Sequence, residues 1–346
     1  MMPNIPARRR RVHVPSEGVV TLVTEDTPVP EPHEALVATI VSGVCGSDTH
    51  ALHGQHPAIA LPYYPGHEVV GVVVAVGADV TSVAVGDRVT PEPTLPCGTC
   101  KVCLAGHHNV CENLRFFGCG YREGGMADNF TCDASRLHKV PAEFTDHQAA
   151  LIEPLSTPVH ATGLAGDLSG KTVAILGSGT IGLLMLSAAR AAGARKIVVT
   201  DVLADKRALA ERAGADATVD AADPDVAAQV REALGESADA VFDCVAIQPT
   251  VDAAVAMVAY GGVVVIVGVP AKPVTVNIPH LQDRQIALQG AATYLAEDYR
   301  RAMEIIGSGA VDAEAMVTKE FPVEQVSEAF AASESGHEVK VLIRLQ

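Results

Sequence analysis

The chain has 346 residues, 48% of them apolar and only 4% aromatic, and carries a formal charge of −16. That length suggests two domains rather than one small core. The acidic balance argues against nucleic acid or an anionic membrane as partner, since both need a basic surface.

The abundance of Ala, Val and Gly suits an α/β protein with buried parallel strands. Arg8 to Arg11 form a short basic run among Pro3, Pro6 and Pro15. No apolar segment of signal-peptide length follows, so the run reads as a disordered, solvated arm rather than an address. No stretch reaches the roughly 18 continuous apolar residues of a membrane span, and a cytoplasmic location is the default expectation. Residues 12–40 alternate apolar and polar side chains around Pro28, Pro30 and Pro32, which predicts short antiparallel strands and turns.

The apolar run Leu36 to Val44 reads as a strand that ends on Cys45, within Gly43-Val44-Cys45-Gly46-Ser47-Asp48-Thr49-His50. Some twenty residues on stands Gly66-His67-Glu68. A thiolate, an imidazole and a carboxylate can together hold zinc, and a catalytic zinc keeps three protein ligands and one open position. His53 and His56, in the loop between, read as surface residues. Two further strands follow at Val69 to Val76 and Val83 to Val89.

Cys97, Cys100 and Cys103 come next at intervals of three, and Cys111 follows. Four thiolates at this spacing can close a tetrahedral zinc completely, the pattern of a structural site. Clustered thiols in a cytoplasmic chain favour metal over disulfides. Cys119, Cys132 and Cys244 read as small apolar packing residues.

The texture changes from Gly163. Lys171 to Leu176 reads as a buried strand, followed by Gly177-Ser178-Gly179-Thr180-Ile181-Gly182 and a helix to Ala192; a second strand, Lys196 to Thr200, ends in Asp201. A GxGxxG alone is weak, but strand, helix and acid in this order make a dinucleotide fingerprint. The helix N-terminus supplies free N–H donors to the pyrophosphate. Asp201 can accept hydrogen bonds from the ribose hydroxyls of NAD and repel a 2′-phosphate, with a helix N-cap as its ordinary reading. Lys206 and Arg207 brace the adenosine ribose or face solvent. Helices and strands then alternate through Leu203–Ala213, Ala217–Val219, Val226–Leu234, Ala240–Cys244, Pro249–Ala259 and Gly262–Val267, which predicts βαβ units in a doubly wound parallel sheet. A last strand is expected over Ile286 to Tyr294, helices over Tyr299–Gly307 and Val323–Ser333, and a final strand, Val339 to Leu345, returning to the first domain.

Cys45-Gly-Ser-Asp, Gly66-His-Glu, the four-cysteine lobe, Glu153-Pro154-Leu155 and the fingerprint together resemble the zinc-dependent medium-chain dehydrogenases. The resemblance covers nearly the whole chain after about residue 12. It points to the polyol, butanediol and threonine dehydrogenase branch. It implies an α/β fold in which a doubly wound Rossmann sheet is inserted in a β-rich, GroES-like catalytic domain. The expected bounds are 1–155 with a zinc lobe at 95–113, 156–293 for NAD binding, and 294–346 for the rest of the catalytic domain.

Carried over by residue, the resemblance implies Cys45 and His67 as catalytic-zinc ligands, Glu68 as direct carboxylate ligand, and Glu153 exchanging with the bound water. It makes Ser47 the first proton acceptor and His50 the relay to solvent, with Asp48 orienting His67. The cofactors implied are two zinc ions and NAD, the latter held by Gly177, Gly179, Thr180, Ile181, Gly182, Asp201 and Lys206. The substrate is a secondary alcohol or its ketone, and the assembly a homodimer or homotetramer. Thr293-Tyr294 departs from the arginine–tyrosine pair of polyol dehydrogenases, which leaves room for a smaller diol or a cyclic or amino alcohol. Oxidation of an amino alcohol, as by threonine dehydrogenase, is one alternative; a zinc-free quinone reductase is another, although that family lacks Cys45 and the four-cysteine lobe.

Overall fold

A strand covered by helices on both faces is buried on both sides, so it carries an unbroken apolar run instead of an alternation. Thr172–Leu176 is such a strand, with all five residues buried. In the computed structural model, which describes residues 5–346, it pairs in parallel with Lys196–Asp201 on one side and Ala238–Asp243 on the other. The complete sheet runs Ala217–Asp220, Lys196–Asp201, Thr172–Leu176, Ala238–Asp243, Val258–Ile266, Ala287–Gly290, all parallel. In chain order this is the doubly wound arrangement 3-2-1-4-5-6, whose direction reverses beside the strand that precedes the glycine-rich turn. Ligands of such sheets bind at the carboxyl ends of the strands near that reversal.

This sheet belongs to a unit spanning Pro154–Asp312. The sequence places the boundary at 293/294, whereas the helix Ala296–Gly307 stays with the sheet and the unit ends at Asp312. Tyr294 and Tyr299 are both buried and meet edge to face at 5.3 Å, and Ser187 Oγ donates to the carbonyl of Ala310 at 3.0 Å. The expected strand Ile286 to Tyr294 is shorter, Ala287–Gly290. A helix not foreseen, Ile278–Arg284, precedes it, capped by the Asn277 side chain accepting from the His280 N–H.

The other unit holds the chain up to Glu153 together with Ala313–Gln346. Its seven-stranded sheet centres on Glu34–Val44, which pairs antiparallel with Val69–Val76, Asn129–Asp133 and Lys340–Arg344. The last of these is the returning strand, with Val341 opposite Val44.

Arg8 to Arg11 are not a solvated arm; the part of that arm before Ile5 lies outside the described residues. They open the strand Arg8–Ser16, paired with Val19–Asp26. Arg9 is buried, bonding Glu25 at 2.6 and 2.9 Å and Glu123 at 2.8 and 3.0 Å. Arg11 bonds Glu25 at 3.0 Å and lies 3.3 Å over the Tyr64 ring. A guanidinium supplied with planar carboxylates and an aromatic face can leave water, which is why this basic run packs as a strand.

Candidate functional site

Cys45 closes the strand Glu34–Val44 and caps the helix Gly46–Leu52. The turn is held by the N–H of Cys45 donating to Asp48 Oδ2 at 3.0 Å and the N–H of Asp48 returning to the Cys45 carbonyl at 3.0 Å. One ligand atom each from Cys45, His67 and Glu68 fall within 4.8 Å of one another. His67 and Glu68 are buried and Cys45 half-buried. A soft thiolate, an imidazole and a carboxylate at this separation fit a zinc ion with a position left open.

Neither ring edge of His67 is bare. Ser47 Oγ lies 3.5 Å from Nε2, and Cys119 Sγ lies 3.3 Å from Nδ1. Asp48, fully buried, approaches Nδ1 only to 3.9 Å. Burial pushes the Asp48 carboxyl up, against the pull of His67 and of the Cys45 N–H. Tyr63 donates its hydroxyl to the Asp48 carbonyl at 3.3 Å and lies 3.4 Å from Oδ1. His50 falls on the same face of the short helix as Ser47, three residues on.

Glu68 brings a residue that local sequence reading did not find. Both of its oxygens accept from Lys340 Nζ, at 2.8 and 2.7 Å, with side-chain exposures of 1% and 2%. Burial alone would strip the proton from Lys340, but the Glu68 charge overrides it and holds the ammonium. Lys340 also points at the Val44 carbonyl, 3.4 Å away. Gly43 makes the space: a Cβ there would lie 2.0 Å from Glu68 Oε2. Glu153 is buried in the first turn of the helix Ile152–Leu164, outside the 4.8 Å cluster, and its charge helps to hold the Lys340 proton.

Cys97, Cys100, Cys103 and Cys111 gather within 4.8 Å. None of the eight cysteines is in a disulfide, and Cys100 and Cys111 sulfurs stand 3.9 Å apart. Tetrahedral zinc with bonds of about 2.3 Å sets its sulfurs about 3.8 Å apart, so the cage has the size of the ion. Backbone N–H groups point at the sulfurs: Cys100 at Cys97, Cys103 at Cys100, and Cys97 and Asn113 at Cys111, over 3.2 to 3.4 Å. The Thr99 N–H and hydroxyl pull the Cys97 thiol down to about 5. Donors aimed at sulfur favour thiolate, the form that binds metal. Cys132 is buried in a core cluster, matching its expected packing role, and Cys244 is half-buried; desolvation pushes both thiols up. Cys119 packs against the core that includes Val14 and Tyr63, as expected, and its sulfur is in addition turned onto His67.

The glycine-rich turn is built for close approach. At Gly182 a Cβ would lie 1.9 Å from the Gly177 carbonyl, whereas at Gly179 nothing stands within 4 Å. The third glycine thus lets helix meet strand, and the second leaves the N-terminus of the helix Thr180–Ala191 open to an anion. Asp201 ends the neighbouring strand and accepts from Ser178 N–H and Oγ–H at 2.8 and 2.9 Å. Its other oxygen takes the Leu203 N–H at 3.0 Å, and Leu203, not Asp201, is the N-cap of the next helix. Arg207 is spent on the Asp201 and Val202 carbonyls and on Asp220, while Lys206 is buried.

Two family profiles match: residues 31–142 the alcohol dehydrogenase GroES-like domain, and residues 180–308 the zinc-binding dehydrogenase. D-xylulose reductase A of Aspergillus niger is 32% identical over 343 residues, covering 94% of both chains. Sorbitol dehydrogenase of Gallus gallus is 34% identical over 330 residues, 92% of each. Among solved structures, a candidate zinc-binding dehydrogenase of Sinorhizobium meliloti bound to NADP superposes with a TM-score of 0.91 at 33% identity, over 98% of this chain and 100% of that one. The 2R,3R-butanediol dehydrogenase of Bacillus subtilis follows at 0.89 and 26%, over 97% and 99%.

Proposed function

The chain belongs to the zinc-binding dehydrogenase family, in its polyol branch, and from that premise we propose that it oxidises a vicinal diol or polyol at a secondary alcohol to the ketone, with NAD as acceptor. The observation that carries this reading is the cluster of Cys45, His67 and Glu68 within 4.8 Å. Relatives named for xylulose, sorbitol and butanediol favour a polyol or diol over an amino alcohol. The quinone reductase alternative accounts for neither Cys45 nor the four-cysteine cage.

When bound, zinc supplies a Lewis acid that makes an alcohol more acidic, and the nicotinamide supplies the hydride acceptor. Cys45, His67 and Glu68 would hold the catalytic ion, Glu153 would be the exchanging carboxylate, and the four-cysteine cage would hold the structural one. Ser47 Oγ accepts the alcohol proton and gives up its own. His50 passes that proton on to water. Lys340 fixes the Glu68 carboxylate through bonds to both of its oxygens. Gly177, Gly179, Thr180, Ile181 and Gly182 bind the pyrophosphate, with Lys206 supporting the adenosine half. Asp201 selects NAD by accepting from the ribose hydroxyls, unlike the relative crystallised with NADP.

The clustered thiols suit the reducing cytoplasm, and among the described residues no helix is long and apolar enough to cross a membrane. A homodimer or homotetramer would pair through Ala287–Gly290, an edge strand whose four residues are all exposed. A panel of diols, hexitols, inositols and threonine, assayed with NAD by absorbance of the reduced cofactor, tests the reading. Turnover of a diol or polyol above threonine is expected. Absence of turnover with any alcohol would end it.

A further inference from the structure

The loop from Phe117 to Gly125 is pressed against the peptide that carries His67. At Gly118, where φ is +73°, a Cβ would lie 2.5 Å from the Gly66 carbonyl carbon and 2.6 Å from the His67 nitrogen. The Gly118 N–H donates to Glu123 at 3.0 Å, the Gly125 N–H to Gly66 at 2.7 Å, and the Met126 N–H to Pro65 at 3.2 Å. Loop and metal-site peptide are therefore one hydrogen-bonded piece. Only a residue without a side chain at 118 lets the loop come so close. What this approach delivers to the site is the sulfur of Cys119, 3.3 Å from His67 Nδ1.

A histidine offers a metal one nitrogen. The other must keep its proton and give it to an acceptor, and that bond sets both tautomer and ring angle. On His67 the Nε2 edge faces Ser47, which lies on the turn that begins at Cys45. The Nδ1 edge has two candidate acceptors. Asp48 is 3.9 Å away, and Oδ2 already takes the Cys45 N–H while the Tyr63 hydroxyl lies 3.4 Å from Oδ1. Cys119 is closer and within reach. Resting on the family reading above, we propose that Cys119 is the positioning residue of the catalytic metal centre: its sulfur takes the Nδ1–H of His67 and holds Nε2 toward Cys45.

The role separates by chemistry from mere packing. Cys119→Ala removes the acceptor with little change of volume, and Cys119→Ser restores an oxygen acceptor in the same place. Wild type, both variants and a His67→Ala control are loaded with zinc and titrated against a competing chelator, with a metal-indicator dye reading release. The cobalt(II)-substituted proteins are compared by visible absorption, and a melting curve accompanies each variant. We expect Cys119→Ala to bind one of its two zinc ions about ten- to a hundredfold more weakly, with a shifted cobalt spectrum, and Cys119→Ser to stay close to wild type. The four-cysteine ion should be unaffected in both. Unchanged zinc affinity in Cys119→Ala, or an equal loss in both variants, would overturn the proposal. A wild-type protein holding one zinc, with His67→Ala indistinguishable from it, would instead overturn the metal centre itself and this role with it.

Discussion

Replacing Lys340 by methionine keeps most of the side-chain volume and removes one charge. The remaining carboxylate of Glu68 has an exposure of 1%, and both of its oxygens are bonded to the ammonium that is lost. Breaking a buried ion pair from one side costs about 3–5 kcal/mol, because the surviving charge is left without a partner. In metal-free protein, where no other cation can stand in, the full penalty should appear. With a urea m-value of about 3 kcal/mol/M, the midpoint of the catalytic unit should fall by about 1–1.7 M. The double variant Lys340→Met with Glu68→Gln has no orphaned charge. It should recover about 1–3 kcal/mol relative to the sum of the singles, as coupled neighbours do. Equilibrium unfolding of all four proteins completes the cycle. A Lys340→Met protein within about 1 kcal/mol of wild type would mean that Glu68 releases its charge by another route and would refute the reasoning, since breaking a buried pair should cost more.

Other consequences can be measured with simple variants. Cys100→Ser should reduce the metal content from two zinc per chain to one and leave the second ion bound; retention of both by elemental analysis would remove that cysteine from the cage. Asp201→Ala should weaken NAD binding about ten- to a hundredfold, the worth of charge-assisted hydrogen bonds to hydroxyls, while NADP holds or gains, read by fluorescence titration. His147 donates to Glu314 at 2.7 Å and also bonds Glu320. Partial burial opposes its charge, but the hydrogen bonds to Glu320 and Glu314 win and raise its pKa. Its stabilising effect is therefore complete below about pH 6.5 and is lost as pH rises through the raised value. Melting temperatures from pH 5 to 9 should decline more in wild type than in His147→Gln over that window, by an amount worth at most about 1 kcal/mol for so exposed a network.

What could be read from the sequence was what neighbours in the chain decide. The four cysteines span fifteen positions, and the fingerprint runs straight from strand into helix, so spacing alone conveyed their chemistry. Cys45, His67 and Glu68 were found because each residue type is scarce at such a position and has a metal chemistry of its own. The partners that complete the site were hidden by distance. Lys340 meets Glu68 across 272 residues, Arg9 meets Glu123 across 114, and Cys119 meets His67 across 52. Sheet register and loop packing set those meetings, and neither has a local signature. Cys119 illustrates the limit: the sequence shows a small apolar packing residue, and only the close approach at Gly118 reveals that the same sulfur also reaches the His67 ring.

The pairing of Lys340 with Glu68 also orders events during synthesis. Pro154–Asp312 is one uninterrupted stretch, and it can fold as soon as residue 312 has left the ribosome. The metal-site unit cannot. Its central strand must wait for Lys340–Arg344 to pair with it, and until then Glu68 has no counter-charge and Val44 no neighbour on that side. The nascent chain thus carries a finished cofactor-binding unit beside an unfinished sheet with an open edge. Such an edge is a template for pairing with another chain, and here its closure is left to residues made more than 180 positions after Glu153, the last residue of that unit's N-terminal part.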